Sequence, residues 1–154
     1  MELKEAIQTR RSIRGYKAAP VPKDILAEII EISLRAPSAM NVQPWEITVV
    51  TGKALAEIQK GNIEKMKAGQ MPVNDLGHSK PFEGVHKDRQ RALGFGLYDL
   101  LDIKREDKQK KMEWTMKGLR SFDAPACIIL SADEKLETRM AASDIGGIVQ
   151  TICM

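Results

Sequence analysis

Residues Ala36–Val50 read APSAMNVQPWEITVV, and the junction inside this stretch decides the class of fold. Pro37 stops the helix pattern before it, because proline lacks an N–H and disfavours helical backbone at the preceding residue. Ser38, Asn41 and Gln43 then supply small or amide side chains, and from Trp45 to Thr51 the chain alternates and is rich in β-branched residues, as a strand does. A helix, a polar connection and a strand in succession put α and β structure side by side. The connection itself reads in two ways. Serine and asparagine are common turn residues, so it can be an ordinary link. The same mixture of hydroxyl, amide and small groups also suits the edge and face of a flat heteroaromatic ligand.

Working outward, Pro22 opens a helix through Ile25, Leu26, Ile29, Ile30, Ser33 and Leu34, and Leu3, Ala6 and Ile7 mark a shorter one over 2–10. Downstream, Gly52 closes the strand and a polar helix covers 54–67. The density of Gly, Pro, Asn and Asp over 68–84 predicts a long irregular segment, a lid or rim. Leu93, Leu97, Leu100 and Leu101 give a helix over 86–101, and DIKREDKQKKMEWTMKGLR at 102–120 is a charged second helix after a short break. ACIILSA at 126–132 is the near-continuous apolar run of a buried strand, and a last helix starts at Glu134. The expected order is two helices, a strand, a helix, the loop, two helices, a strand and a helix, in one domain over 1–154 of the α+β or α/β class. Two strands alone make a marginal sheet, so the chain reads as unfinished. Ile145, Ile148, Val149, Ile152 and Met154 keep the last helix apolar to its end with no cap in sight, which predicts association through that face.

The chain has 154 residues, enough for one core, and its 24 basic and 21 acidic residues leave a net charge of +3, which marks no nucleic-acid face. The charge is uneven, however. Arg10-Arg11-Ser12-Ile13-Arg14 packs three guanidinium groups and a hydroxyl into one short stretch. Charge runs at helix ends are usually solvated surface. Yet arginine's planar fork matches phosphate oxygens, and the alternation of Arg10, Ser12 and Arg14 puts three polar groups on one side of an extended segment, which makes an anion site the second reading.

Other features read as structural. Cys127 and Cys153 suit reduced thiols rather than a disulfide, with Cys127 an inert part of the core. His78 and His86 lack partners at metal spacing and read as surface residues, so no metal site is expected. Gly94-Phe95-Gly96 follows no strand and is no dinucleotide fingerprint. Met112, Trp114 and Met116 could border a channel but more often such residues pack. Gly146-Gly147 inside a helix points to close approach of another helix or a ligand. No signal peptide or membrane-spanning run is visible, so a soluble cytoplasmic protein is expected.

Taken together, RRSIRGY near the start and APSAMNVQPWEITVV after the next helix resemble the paired motifs of the FMN-dependent nitroreductase family. The likeness extends through FDAPACIILSAD and ASDIGGIVQTICM, while 62–117 carries none of it. The resemblance implies an α+β nitroreductase-like fold, helices around a central and mainly antiparallel sheet, here without the family's C-terminal strands and arm. It implies bound FMN, with Arg10, Arg11 and Ser12 at the phosphate and ribityl chain and Arg14 facing the ribityl and the pyrimidine end of the ring. Pro37, Ser38, Ala39, Asn41 and, more weakly, Gln43 would reach the flavin of the neighbouring subunit in a homodimer, putting the site at the interface. The implied activity passes electrons from NAD(P)H through flavin to nitroaromatic, quinone or similar small acceptors, with no catalytic side chain required. The alternative is a flavin-binding or structural module without turnover.

Overall fold

The computed structural model describes residues 2–70, 72–76 and 80–154. Its elements are α1 (Leu3–Thr9), α2 (Lys23–Ser33), β1 (Glu46–Thr51), α3 (Gly52–Lys67), α4 (Gly84–Leu100), α5 (Lys108–Leu119), β2 (Ala126–Ser131) and α6 (Thr138–Ile152), with tight turns at Ala39–Asn41 and Ser121–Asp123. This is the expected order of an α+β chain. β1 and β2 pair antiparallel, Glu46 opposite Ser131 through Thr51 opposite Ala126, so Ile47 and Leu130 face each other on the same side of the sheet.

That side carries the core. Ala36, Trp45 and Ile148 form its buried centre, with Ile47, Leu130 and Ile152 packed against them. Three chain segments therefore meet there: the stretch after α2, the sheet and α6. Ile148 is fully buried while its neighbour Val149 is 43% exposed, so α6 presents one stripe to the core and leaves the next position in solvent. Val49 and Thr51 share a shallow apolar groove with Leu26, Ala27 and Ile30 of α2 and with Leu34 just beyond it, and α3 runs beside both strands with Leu55 buried.

Several boundaries differ from the expectations, each for a local reason. Gly52 closes the strand as expected, but the next helix starts there rather than at Ala54: Gly52 is the first residue of α3, at φ +54, and this left-handed step turns the chain straight from strand into helix. The helix expected from Glu134 begins at Thr138, because the Glu137 carboxylate accepts the Met140 N–H at 2.7 Å and fixes the start there. The last helix runs to Ile152, and the Cys153 N–H still bonds back to the Val149 and Gln150 carbonyls at 3.1 Å each, as within a helix. The charged helix starts only at Lys108, since Lys104–Asp107 form a turn closed by the Asp107 carboxylate on the Lys104 N–H at 2.8 Å.

β2 is also less buried than its composition implies. Ile129 is 40% exposed and Cys127 only half-buried, and among the described residues β1 is the one strand that pairs with β2. Both cysteines are free. The described parts of 68–84 hold no helix or strand before Gly84, while His78 and part of the expected lid lie outside the described residues. No helix among the described residues is long and apolar enough to cross a membrane.

Candidate functional site

The connection after α2 is a built structure rather than a slack link. The Leu34 and Ala36 N–H groups bond to the carbonyls of Ile30 and Ser33, which ends the helix before Pro37. From Ser38 the chain folds over itself: the Asn41 N–H reaches the Ser38 carbonyl at 3.1 Å, and the Val42 N–H reaches the Ala39 carbonyl at 3.0 Å. The Ser38 Oγ accepts the Gln43 N–H at 2.9 Å. Met40, Asn41 and Gln43 all sit at positive φ, 51°, 58° and 50°. Non-glycine residues in that region cost on the order of 1–3 kcal/mol each, asparagine least, and persist only where the surroundings enforce them.

The enforcement comes from α6. Asp144 Oδ2 accepts the Ala39 N–H at 3.1 Å, a bond between residues 105 positions apart. One turn on, a Cβ added at Gly147 would lie 3.8 Å from the Pro37 carbonyl oxygen, whereas one at Gly146 would meet nothing within 4 Å. Gly147 is thus in ordinary contact range of the loop backbone, and Gly146 leaves an open spot on α6. With its backbone tied inward, the loop turns its side chains out: Met40 is 87% exposed, and Asn41 and Gln43 are exposed too. No side-chain hydrogen bond of Asn41 or Gln43 is present among the described residues, so their amide groups are available.

The arginine stretch is exposed along its whole length from Arg10 to Arg14. Arg11 Nη1 donates to the Gln8 and Arg10 carbonyls at 2.8 and 3.0 Å. Arg14 Nη1 reaches the Ser12 carbonyl only at 3.5 Å, and its guanidinium lies 5.8 Å from the centroid of Phe122. Such an exposed cation–π contact is worth about 0.5–1 kcal/mol. Among the described residues none of the three guanidinium groups has a carboxylate partner. This donor set, three cations and a hydroxyl with donors to spare, fits a phosphate.

Phe122 belongs to a second strained turn, which sequence reasoning missed. Ser121, Phe122 and Asp123 take φ of 54°, 54° and 59° with no glycine among them. Four groups hold it. Gln59 Nε2 donates to the Arg120 carbonyl at 2.8 Å and Asn62 Nδ2 to the Leu119 carbonyl at 3.3 Å, both from α3. Trp114 of α5 packs on Phe122 with ring centroids 5.6 Å apart. Arg120 forks onto Asp123, and that bond holds the Asp123 carboxyl below its ordinary range and raises the Arg120 guanidinium. Trp114 therefore packs as expected, while Met112 is 53% exposed; both line, with Met116, Leu101 and Ile103, an open cavity of about 570 Å³.

The arginine stretch and the loop over Pro37–Gln43 are the two sequence-predicted halves of the site. No hydrogen bond, ion pair or ring contact among the described residues joins them: the first lies beside Phe122, the second against α6. His86 is exposed on α4, and no group of His, Cys, Asp and Glu that could hold a metal exists among the described residues.

With this geometry established, comparison with known proteins is decisive for the family. The profile of the nitroreductase family matches residues 7–154. The chain belongs to the nitroreductase family. It is 28% identical over 148 residues to the nitroreductase NfnB of Mycolicibacterium smegmatis, covering 96% of this chain and 63% of that protein. The nitrobenzene nitroreductase of Ectopseudomonas oleovorans is 30% identical over 135 residues, 86% of this chain and 60% of that one. Among solved structures, the FMN- and NADPH-dependent nitroreductase NfnB from sphigopyxis sp. strain HMH superposes with a TM-score of 0.91 at 30% identity, over 99% of this chain and 69% of that chain. The fold is therefore the nitroreductase fold. The chain spans about 60% of the length of the curated relatives it matches.

Proposed function

We propose that this nitroreductase-family chain binds FMN and works, as a homodimer, in passing electrons from NAD(P)H to a nitroaromatic, quinone or similar small acceptor. The observation that carries the reading is the donor set at Arg10, Arg11, Ser12 and Arg14: exposed, without acidic partners among the described residues, and suited to an anion. Solved relatives described as FMN- and NADPH-dependent support the same cofactors. Arg10, Arg11 and Ser12 would hold the phosphate and ribityl chain, and Arg14, already placed against Phe122, the pyrimidine end. Pro37, Ser38, Ala39, Asn41 and Gln43 would meet the ring bound to the neighbouring subunit. That the two halves are not joined within one chain supports a site shared between two. Its place would be the cytoplasm.

FMN, when bound, supplies the acceptance and release of electrons. The chain's own residues bind and orient. Arginine cations would neutralise the phosphate, a cation near the pyrimidine edge would stabilise negative charge gathering there, and the tied backbone would present the Asn41 and Gln43 amides with only their side chains left to order. No side chain needs to act as acid or base.

The test is a flavin titration with the Arg10→Ala, Ser12→Ala double variant. FMN affinity should fall by about 1.5–3 kcal/mol for each charge-assisted bond removed, and riboflavin affinity should change little. Equal losses for FMN and riboflavin would overturn the phosphate assignment. The separation of the half-sites also favours a second reading, a module that holds flavin without turnover. Anaerobic mixing with excess NADH or NADPH separates the two, since a flavin that stays oxidised with both supports the module.

A further inference from the structure

We propose that Asp144 is a positioning residue that holds the loop over Pro37–Gln43 in its strained, ligand-ready form, and thereby sets how tightly the proposed flavin ring is gripped. This rests on the flavin reading above, but the structural part stands without it. Asp144 is half-buried, on α6, and its Oδ2 accepts the Ala39 N–H at 3.1 Å. It forms no ion pair among the described residues, so its role here is that of acceptor for one loop amide. Ala39 is the residue directly before the left-handed pair Met40 and Asn41. Fixing its N–H therefore fixes the entry to that pair, while the bond from the Gln43 N–H to the Ser38 Oγ fixes the exit.

The remaining loop bonds are local, from Asn41 to Ser38 and from Val42 to Ala39, and they can travel with the loop. Among the described residues, the Asp144 bond is the hydrogen bond that joins this loop to a distant part of the fold, its two ends lying 105 residues apart. About one turn further along α6, the Cβ position of Gly147 lies 3.8 Å from the Pro37 carbonyl oxygen, so the helix runs alongside the loop there too. A loop released at Ala39 gains the freedom to leave the positive-φ region, and a ligand must then restore that conformation at the expense of its own affinity.

The experiment compares Asp144→Ala, Asp144→Asn and the unaltered chain by amide hydrogen exchange at Ala39 and by titration with FMN. Asparagine keeps a side-chain oxygen in the same place. In Asp144→Ala the Ala39 amide should exchange about tenfold faster or more and FMN should bind about tenfold more weakly. Asp144→Asn should return both toward the unaltered values. Unchanged exchange in Asp144→Ala overturns the tie. Failure of asparagine to rescue exchange in a variant with native circular dichroism overturns the acceptor role. Faster exchange with unchanged FMN affinity overturns the effect on the ligand. If the unaltered chain binds no FMN, the functional reading fails, while exchange still decides whether Asp144 positions the loop.

Discussion

Arg120 and Asp123 close the turn between α5 and β2 with a two-point fork, Nε to Oδ1 at 2.7 Å and Nη2 to Oδ2 at 3.2 Å. The pair stands beside Phe122, whose ring carries both Trp114 and the Arg14 guanidinium. The turn is thus a point at which Arg14 meets the folded body.

The fork has a pH signature. Hydrogen bonding to Arg120 lowers the Asp123 pKa, burial opposing it slightly, so the folded carboxyl is more acidic than the unfolded one. Its contribution is complete above the ordinary aspartate range and disappears as pH falls through the lowered folded value. The raised Arg120 works the other way, and its contribution is lost only in strong alkali. Both side chains are substantially exposed, 40% and 51%, so the pair is worth at most about 1 kcal/mol. Asp123→Asn should lower stability by that amount near neutral pH in urea titrations, and the gap to the unaltered chain should close in acid.

Adjacent residues of α6 should differ sharply. Ile148→Ala removes a fully buried side chain at the centre of the core and should cost about 2–5 kcal/mol. Val149→Ala, at 43% exposure, should change stability by less than about 1 kcal/mol. Thermal denaturation of the two variants measures the contrast.

Gly146 distinguishes a lone chain from an assembly. A Cβ there meets nothing within the chain, so in a monomer Gly146→Ala should stabilise α6 by about 1 kcal/mol. In the proposed homodimer, if α6 lies at the interface, a larger substitution, Gly146→Leu, should instead shift sedimentation toward the monomer. Thermal denaturation reads out the first and sedimentation at micromolar concentration the second.

Turnover, where it occurs, should show ping-pong kinetics. Donor and acceptor would use one exposed surface in succession, so double-reciprocal plots at several acceptor concentrations should be parallel. Intersecting lines would require both to be bound together.

Much of this fold is written in local pattern. The alternation from Trp45 to Thr51 became β1, the apolar run at 126–131 became β2, and the helical periodicities fell within a few residues of their elements. Both motif stretches were legible because each concentrates unusual residue types. What escaped depends on distance or on context. Nothing around Asp144 announces a bond to Ala39, since that contact exists only after α6 docks on the loop. Ser121-Phe122-Asp123 carries no glycine to signal positive φ; four outside groups impose it. The exposure of Ile129 likewise reflects what packs on that face of the sheet, which the composition of β2 does not encode.

The pairing of Glu46–Thr51 with Ala126–Ser131 bears on how the chain assembles in time. α3, α4 and α5 lie between the two strands in sequence, so the sheet and the core beneath it form only after that long intervening stretch has been closed into a loop. Helices form in microseconds or less, whereas non-local pairing of this kind slows the overall rate. A transition state organised around β1, β2 and α6 would give high φ-values at Ile47, Leu130 and Ile148 and low ones along α4. Shortening the stretch between the strands would then speed refolding and leave the rate of unfolding almost unchanged.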